Sequence, residues 1–191
     1  MIAGVDEAGR GALIGNVVAA AVILPADYDL PGLTDSKKLT ARRREQLFSA
    51  ICAQAVAWRW AQASAQEIDQ FNIHHATLLA MKRAVLALHC TPSEVLVDGK
   101  FVPQINIPAR AVVGGDRDVP AIAAASIIAK VVRDRQMALL DAIYPHYGLL
   151  AHKGYPTKGH ITAMQAHGIC ALHRLSYAPV KMIAAQPTLE L

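Results

Sequence analysis

The sequence predicts an α/β domain with a covered sheet. Three observations carry that reading: short apolar runs rich in valine, stretches of helical periodicity between them, and glycine or proline at the junctions. Residues 2–6 read as a strand that runs into Asp6 and Glu7. Residues 13–24 read as a second strand, apolar on both faces like a central strand, and ended by Pro25. The alanines at 19–21 leave a helix as its competing reading. Residues 25–38 are a loop broken by Pro25, Pro31 and Gly32. Thr40 caps a helix in which Leu47, Phe48, Ile51 and Ala55 recur on one face. Val56, Trp58 and Trp60 alternate with Ala57, Arg59 and Ala61, a strand pattern.

Ser64 and Glu67 form a capping box for a short helix. Asn72 starts a longer one, with Leu78, Met81, Val85 and Leu88 on one face and Pro92 beyond its end. Residues 94–98 and 109–113 are short strands, and each runs into glycine. Pro120 suits the first turn of a helix that extends to about Ile143. The last predicted helix covers residues 157–167, with Gly168 as its stop. Residues 1–183 are expected to form one catalytic domain, and residues 184–191 a flexible tail.

Composition narrows the function classes. The chain has 191 residues, of which 53% are hydrophobic and 18% charged, as in a packed globular protein. Its net charge of +4 suits an anionic partner. Three cysteines with no C-x-x-C spacing argue against a zinc knuckle or a disulfide framework, and for a reducing compartment. The longest apolar run, residues 17–24, is far below the roughly 20 residues that span a bilayer. The first strand begins at residue 2 and leaves no room for a leader, so a cytoplasmic protein is expected.

The chemistry centres on residues 6–11, Asp-Glu-Ala-Gly-Arg-Gly. Paired carboxylates at a strand end are suited to hard divalent cations. Gly9 and Gly11 let the backbone approach a phosphate or sugar without Cβ interference. Neighbours in a regular strand point to opposite faces, so Asp6 and Glu7 share a cation only if the strand breaks at Glu7. Asp98 also closes an apolar strand, and Asp116 follows Gly114-Gly115 before a helix. In an open α/β sheet such strand ends gather on one edge. Converging carboxylates repel each other unless cations neutralise them, and all-oxygen ligation favours Mg²⁺ or Mn²⁺ over zinc. The glycines at 9, 11 and 15 do not match a dinucleotide fingerprint, because the spacing differs and a strand rather than a helix follows.

Several segments together resemble bacterial ribonuclease HII. They are Val5-Asp6-Glu7-Ala8-Gly9-Arg10-Gly11, Asp35-Ser36-Lys37-Lys38-Leu39, Asn72-Ile73 with Ala76-Thr77, and Val97-Asp98-Gly99. Further on come Gly115-Asp116 with Ala123-Ala124-Ala125-Ser126-Ile127, Ala129-Lys130-Val131 with Arg133-Asp134, and His152-Lys153-Gly154-Tyr155-Pro156-Thr157. His173-Arg174, Ser176-Tyr177 and Pro179-Val180 extend the match to about residue 182. The resemblance implies an RNase H-like fold: a central five-stranded mixed sheet flanked by helices, with a helical C-terminal part. It implies Mg²⁺- or Mn²⁺-dependent cutting of RNA in RNA/DNA hybrids and of single ribonucleotides embedded in duplex DNA. It also implies that Asp6, Glu7, Asp98 and Asp116 are the metal-binding carboxylates. Gly9, Arg10 and Gly11 then read the ribonucleotide 2′-hydroxyl, and Tyr155 stacks on the sugar at the RNA–DNA junction.

Physical chemistry agrees with these roles. The 2′-hydroxyl is what distinguishes RNA from DNA at one nucleotide, and an aromatic ring packs best on a sugar that lacks it. Ala12 stands where the family usually has proline, and Leu175 where a second arginine is common. Asn72, Lys37, Lys38, Lys130 and Arg133 complete the candidate substrate contacts; Lys130 and Arg133 share one helix face. Arg42, Arg43 and Arg44 read as a solvated helix start, and the eight histidines as surface or capping residues. A monomer is expected, with a nucleic-acid duplex as partner and no membrane. Two other readings are a silent hybrid-binding protein, which would need a defective carboxylate set, and ribonuclease HIII, which carries an extra N-terminal domain.

Overall fold

The computed structural model describes residues 1–185. Its centre is a five-stranded mixed sheet in the order β3-β2-β1-β4-β5. The strands are β1 (Ile2–Ala8), β2 (Val17–Ile23), β3 (Ala57–Ala63), β4 (Glu94–Asp98) and β5 (Ala109–Val112). β2 runs antiparallel to both β1 and β3, while β1, β4 and β5 are mutually parallel. The β1–β4 register pairs Val5 with Val97, which sets Asp6, two residues before the end of β1, beside Asp98 at the end of β4.

All seven residues of β2 are buried, and the alternation of the strand divides them between two cores. Val17, Ala19, Ala21 and Ile23 face α2 (Ala65–Leu86) through Ile68, Ala80 and Met81. Val18, Ala20 and Val22 face α1 (Ala41–Gln54) and, after the short α3 (Gly115–Asp118), the long α4 (Pro120–Ile143). α4 lies so close to β1 that a Cβ on Gly4 would sit 2.1 Å from the Ala121 carbonyl carbon. A third cluster joins Leu13, Ile14 and Met137 to Tyr147, Leu149, Met164 and Val180. It binds α5 (Leu149–His152), α6 (Lys158–His167) and α7 (Ala178–Ala184) to the rest.

Local signals place most boundaries. Thr40 caps α1, and the Ser64–Glu67 box opens α2 with both of its hydrogen bonds present. The two predicted helices flanking Asn72 form one kinked unit: Asn72 has φ 64°, and its Oδ1 accepts from the N–H groups of His74 and His75. Pro120 begins α4, which ends at Ile143.

Three expectations are corrected. The second strand starts at Val17, not at residue 13, because Gly15 (φ +77°) turns the chain and Ile14 instead bridges His173. The helix at 158–167 is followed by α7, whose seven residues are too few for a clear period. Ala184, expected in the tail, closes α7, and residues 186–191 lie outside the described residues.

Candidate metal centre and nucleic-acid cleft

Asp6 of β1, Asp98 at the end of β4 and Asp116 of α3 meet at one edge of the sheet. One carboxylate oxygen from each lies within 4.8 Å of the others. Parallel pairing supplies the first two, and the left-handed Gly114 (φ +71°) turns the chain after β5 to supply the third. Asp6 is 5% and Asp116 7% exposed. Burial, then the charges of Glu7 and Asp98, hold the Asp6 carboxyl well above the usual carboxylate range. Burial, then Asp98 and Asp35, raise Asp116 as well.

Asp6 Oδ1 accepts from the Glu7 N–H at 2.7 Å, whereas the buried Asp98 Oδ1 has no hydrogen-bond partner. An orphaned buried oxygen beside two strained carboxylates, with oxygen the only donor type, fits a hard divalent cation.

Lys37 is the cation nearest this cluster, its Nζ 3.9 Å from Asp116 Oδ2. Burial pulls its pKa down, but Asp6, Asp35, Asp116 and Asp98 outweigh that and the net shift is upward. Its turn is firmly built. The Asp35 carboxylate accepts from the Lys37 N–H at 2.9 Å, and Ser126 Oγ donates to Ser36 Oγ at 2.7 Å. Arg44 Nη1 donates to the carbonyls of Ser36 (2.9 Å) and Leu39 (2.6 Å). Arg44 is therefore a brace for the Lys37 turn rather than part of a solvated helix start. Lys38 is exposed on the same turn.

Glu7 lies outside the three-carboxylate group. The strand does not break there but runs on to Ala8, and the Glu7 carboxylate still acts on those of Asp6 and Asp98. Glu7 pairs with Arg10 at 3.4 Å, yet burial still raises its pKa. It borders both a cavity of about 120 Å³ shared with Asp98 and a cleft of about 360 Å³ shared with Lys37, Lys130 and Tyr155.

Residues 9–11 line that cleft, and residues 12–15, which continue the loop, are buried. Gly9 has φ +92°, and a Cβ there would meet Arg133 Nε at 2.5 Å. The Tyr155 ring lies 3.6 Å from where a Cβ on Gly11 would stand. The loops are joined by the Leu13 N–H, which donates to the Gly154 carbonyl at 2.8 Å. Lys130 Nζ reaches Asp134 Oδ1 at 2.7 Å and lines the cleft. Asn72 is exposed at the kink of α2 with its Oδ1 engaged in capping.

Two further sequence expectations fail here. Arg133 is not a cleft-facing phosphate contact: it is 2% exposed and donates through Nη2 to the Ile14 carbonyl at 2.7 Å. The shared helix face with Lys130 continues underneath the loop, so the second cation is covered. His160 and His173 are fully buried rather than surface residues, and His160 Nδ1 bonds the Tyr155 carbonyl at 3.2 Å. Sequence reasoning also gave no role to Arg174, which is fully buried beneath residues 9–15. Its only signal was membership of a matching motif.

Residues 3–180 match the family model for ribonuclease HII. The chain is 63% identical over 180 residues to ribonuclease HII of Dichelobacter nodosus, covering 94% of this chain and 95% of that one. Among solved structures, ribonuclease H2 from Pyrococcus horikoshii superposes with a TM-score of 0.80 at 26% identity, covering 96% of each chain. Ribonuclease HII from Archaeoglobus fulgidus, solved in complex with PCNA, gives 0.79 at 28% identity, covering 99% of this chain and 98% of that one.

Fold and comparisons define a type 2 ribonuclease H, a hydrolase with endonuclease activity on RNA/DNA hybrids. The chain belongs to the ribonuclease HII family.

Proposed function

We propose that this hydrolase cuts on the 5′ side of a ribonucleotide, in RNA/DNA hybrids and at single ribonucleotides embedded in duplex DNA, leaving 3′-hydroxyl and 5′-phosphate ends. The observation that carries the reading is the juxtaposition of the Asp6, Asp98 and Asp116 oxygens with the Gly9–Gly11 loop and Tyr155. Asp6, Asp98 and Asp116 would hold Mg²⁺ or Mn²⁺, and Glu7 extends the acidic set toward the cleft. A divalent ion there supplies Lewis acidity, easing deprotonation of water and stabilising the leaving oxygen.

The other residues position the duplex. Lys37, Lys38 and Lys130 engage phosphates, Asn72 lies farther along the duplex path, and Arg10 borders the ribose. The backbone of Gly9, Arg10 and Gly11 reads the 2′-hydroxyl. The exposed Tyr155 ring, next to Gly11, stacks on the deoxyribose that follows. Water oxygen then bonds to phosphorus as the bond to the 3′-oxygen breaks; the water proton passes to solvent, and the 3′-oxygen takes up a proton. We take the enzyme as a cytoplasmic monomer of one catalytic domain, serving ribonucleotide excision repair. No helix among the described residues is long and apolar enough to cross a membrane.

The test is a duplex DNA carrying one ribonucleotide, incubated with enzyme and Mg²⁺ or Mn²⁺, with and without chelator. One cut 5′ of the ribonucleotide, abolished by chelator, is the expected result. A cut on the 3′ side, or persistence in chelator, overturns the proposal.

A further inference from the structure

Two guanidinium groups lie buried beneath the loop of residues 9–15, and among the described residues neither forms an ion pair. A buried guanidinium ordinarily sits against a carboxylate. Arg174 instead directs its fork at backbone carbonyls. Nη2 donates to Gly9 at 2.8 Å, Nη1 to Arg10 at 2.8 Å and Nε to Gly15 at 2.9 Å. Nη1 also donates to the Tyr177 hydroxyl at 3.1 Å, and that hydroxyl donates to the Arg10 carbonyl.

Arg133 supports the same loop through the Ile14 carbonyl, with Nε and Nη1 left without partners. The segment that carries Arg174 is itself pinned: Asp69 accepts from the N–H groups of Leu175 (2.9 Å) and Ser176 (2.8 Å).

The consequence follows from peptide geometry. In a trans peptide the carbonyl of one residue and the N–H of the next point in opposite directions. With the Gly9 and Arg10 carbonyls drawn down to Arg174, the N–H groups of Arg10 and Gly11 are turned away from it. Neither donates to a backbone carbonyl among the described residues. Tyr155 and the cleft lie on that outer side.

We propose that Arg174 is a positioning residue for ribose discrimination: it holds the Gly9 and Arg10 carbonyls from below, and so aims the Arg10 and Gly11 N–H groups at the 2′-hydroxyl. The inference rests on the proposed reading of this loop as the 2′-hydroxyl reader. Fork geometry is essential to it, because three separate carbonyls are held by one planar group. A lysine keeps the charge but not the fork.

The experiment compares wild type with Arg174→Lys and Tyr177→Phe. It measures kcat/KM on a DNA duplex with one ribonucleotide, and the inhibition constant of the same duplex made wholly of DNA. Arg174→Lys is expected to lower kcat/KM by about tenfold or more, since small misplacements at a reacting centre are costly, with inhibition by the all-DNA duplex unchanged. Tyr177→Phe removes one donor to Arg10 and is expected to lower kcat/KM about fivefold, the worth of one hydrogen bond.

Wild-type kcat/KM in folded Arg174→Lys overturns the proposal, as does equal weakening toward both duplexes, which marks a general structural role. Should Arg174→Lys fail to fold by circular dichroism, Tyr177→Phe decides, and unchanged kcat/KM in it overturns the proposal. A wild type that does not cut at the ribonucleotide overturns the loop reading itself, which is a distinct result.

Discussion

Asp6 is stabilised poorly by the protein alone. Its carboxyl is buried, flanked by Glu7 and Asp98, and raised well above its ordinary range. A carboxyl whose folded pKa lies above its unfolded value favours the fold at low pH, and that contribution is lost as pH rises through the folded pKa. In chelator, Asp6→Asn is therefore expected to melt at a higher temperature than wild type at pH 7, and the difference is expected to shrink toward pH 4. Thermal melts of both proteins across that range check the sign. The same variant is expected to lose hybrid cleavage and most of the stabilisation that Mg²⁺ or Mn²⁺ gives wild type. An Asp6→Asn enzyme that cuts hybrids in Mg²⁺ contradicts the assignment of Asp6 to the metal centre.

His173 acts in the opposite direction. Burial, then the neighbouring His160, lower its pKa to about 4. A depressed pKa gives stability that is present above the unfolded value of about 6.5 and lost as pH falls toward 4. This contribution opposes that of Asp6, so His173→Gln is expected to gain heat stability relative to wild type as pH falls over that interval, as read from melts of both proteins at stepped pH.

Among the elements, the contact of β1 with α4 is the most demanding. A methyl group at Gly4 would meet helix backbone at 2.1 Å, and backbone cannot rotate away as a side chain does. Gly4→Ala is expected to cost about 3 kcal/mol, at the upper end for overpacking. For a chain of this size that is a fall of roughly 6–12 °C in melting temperature.

Elements defined by local chemistry were legible in the sequence. The Ser64–Glu67 box, Thr40 and Pro120 each act on a residue within one turn, so spacing alone reveals them. The acids Asp6 and Asp98 were legible for a related reason: each closes an apolar run that has to enter the core. Arg133 and Arg174 were not. Their partners are carbonyls 119 to 165 positions away, and carbonyls carry no side-chain signature. Glu7 was half legible, because its place beside Asp6 is read from the sequence while its pairing with Arg10 and its position outside the three-carboxylate group depend on the fold.

At the scale of the whole molecule, the net charge of +4 favours an anionic duplex, and the cations Lys37 and Lys130 lie at the cleft itself. Substrate engagement is expected to weaken steeply as salt rises, because each phosphate contact releases counter-ions. Lys130→Gln is expected to reduce the slope of log kcat/KM against log salt by about one unit, if Lys130 occupies one phosphate. Kinetics at several potassium chloride concentrations measure it.

Because the Gly9 and Arg10 carbonyls are held by Arg174, the loop and its support are made at different times in synthesis. Gly9 and Arg174 stand 165 positions apart, and N-terminal parts emerge first. Until Arg174 emerges, a nascent chain carries its first acids and glycines without the fork that holds them in the folded protein. The loop therefore takes its final shape only after the five strands and α4 have been synthesised.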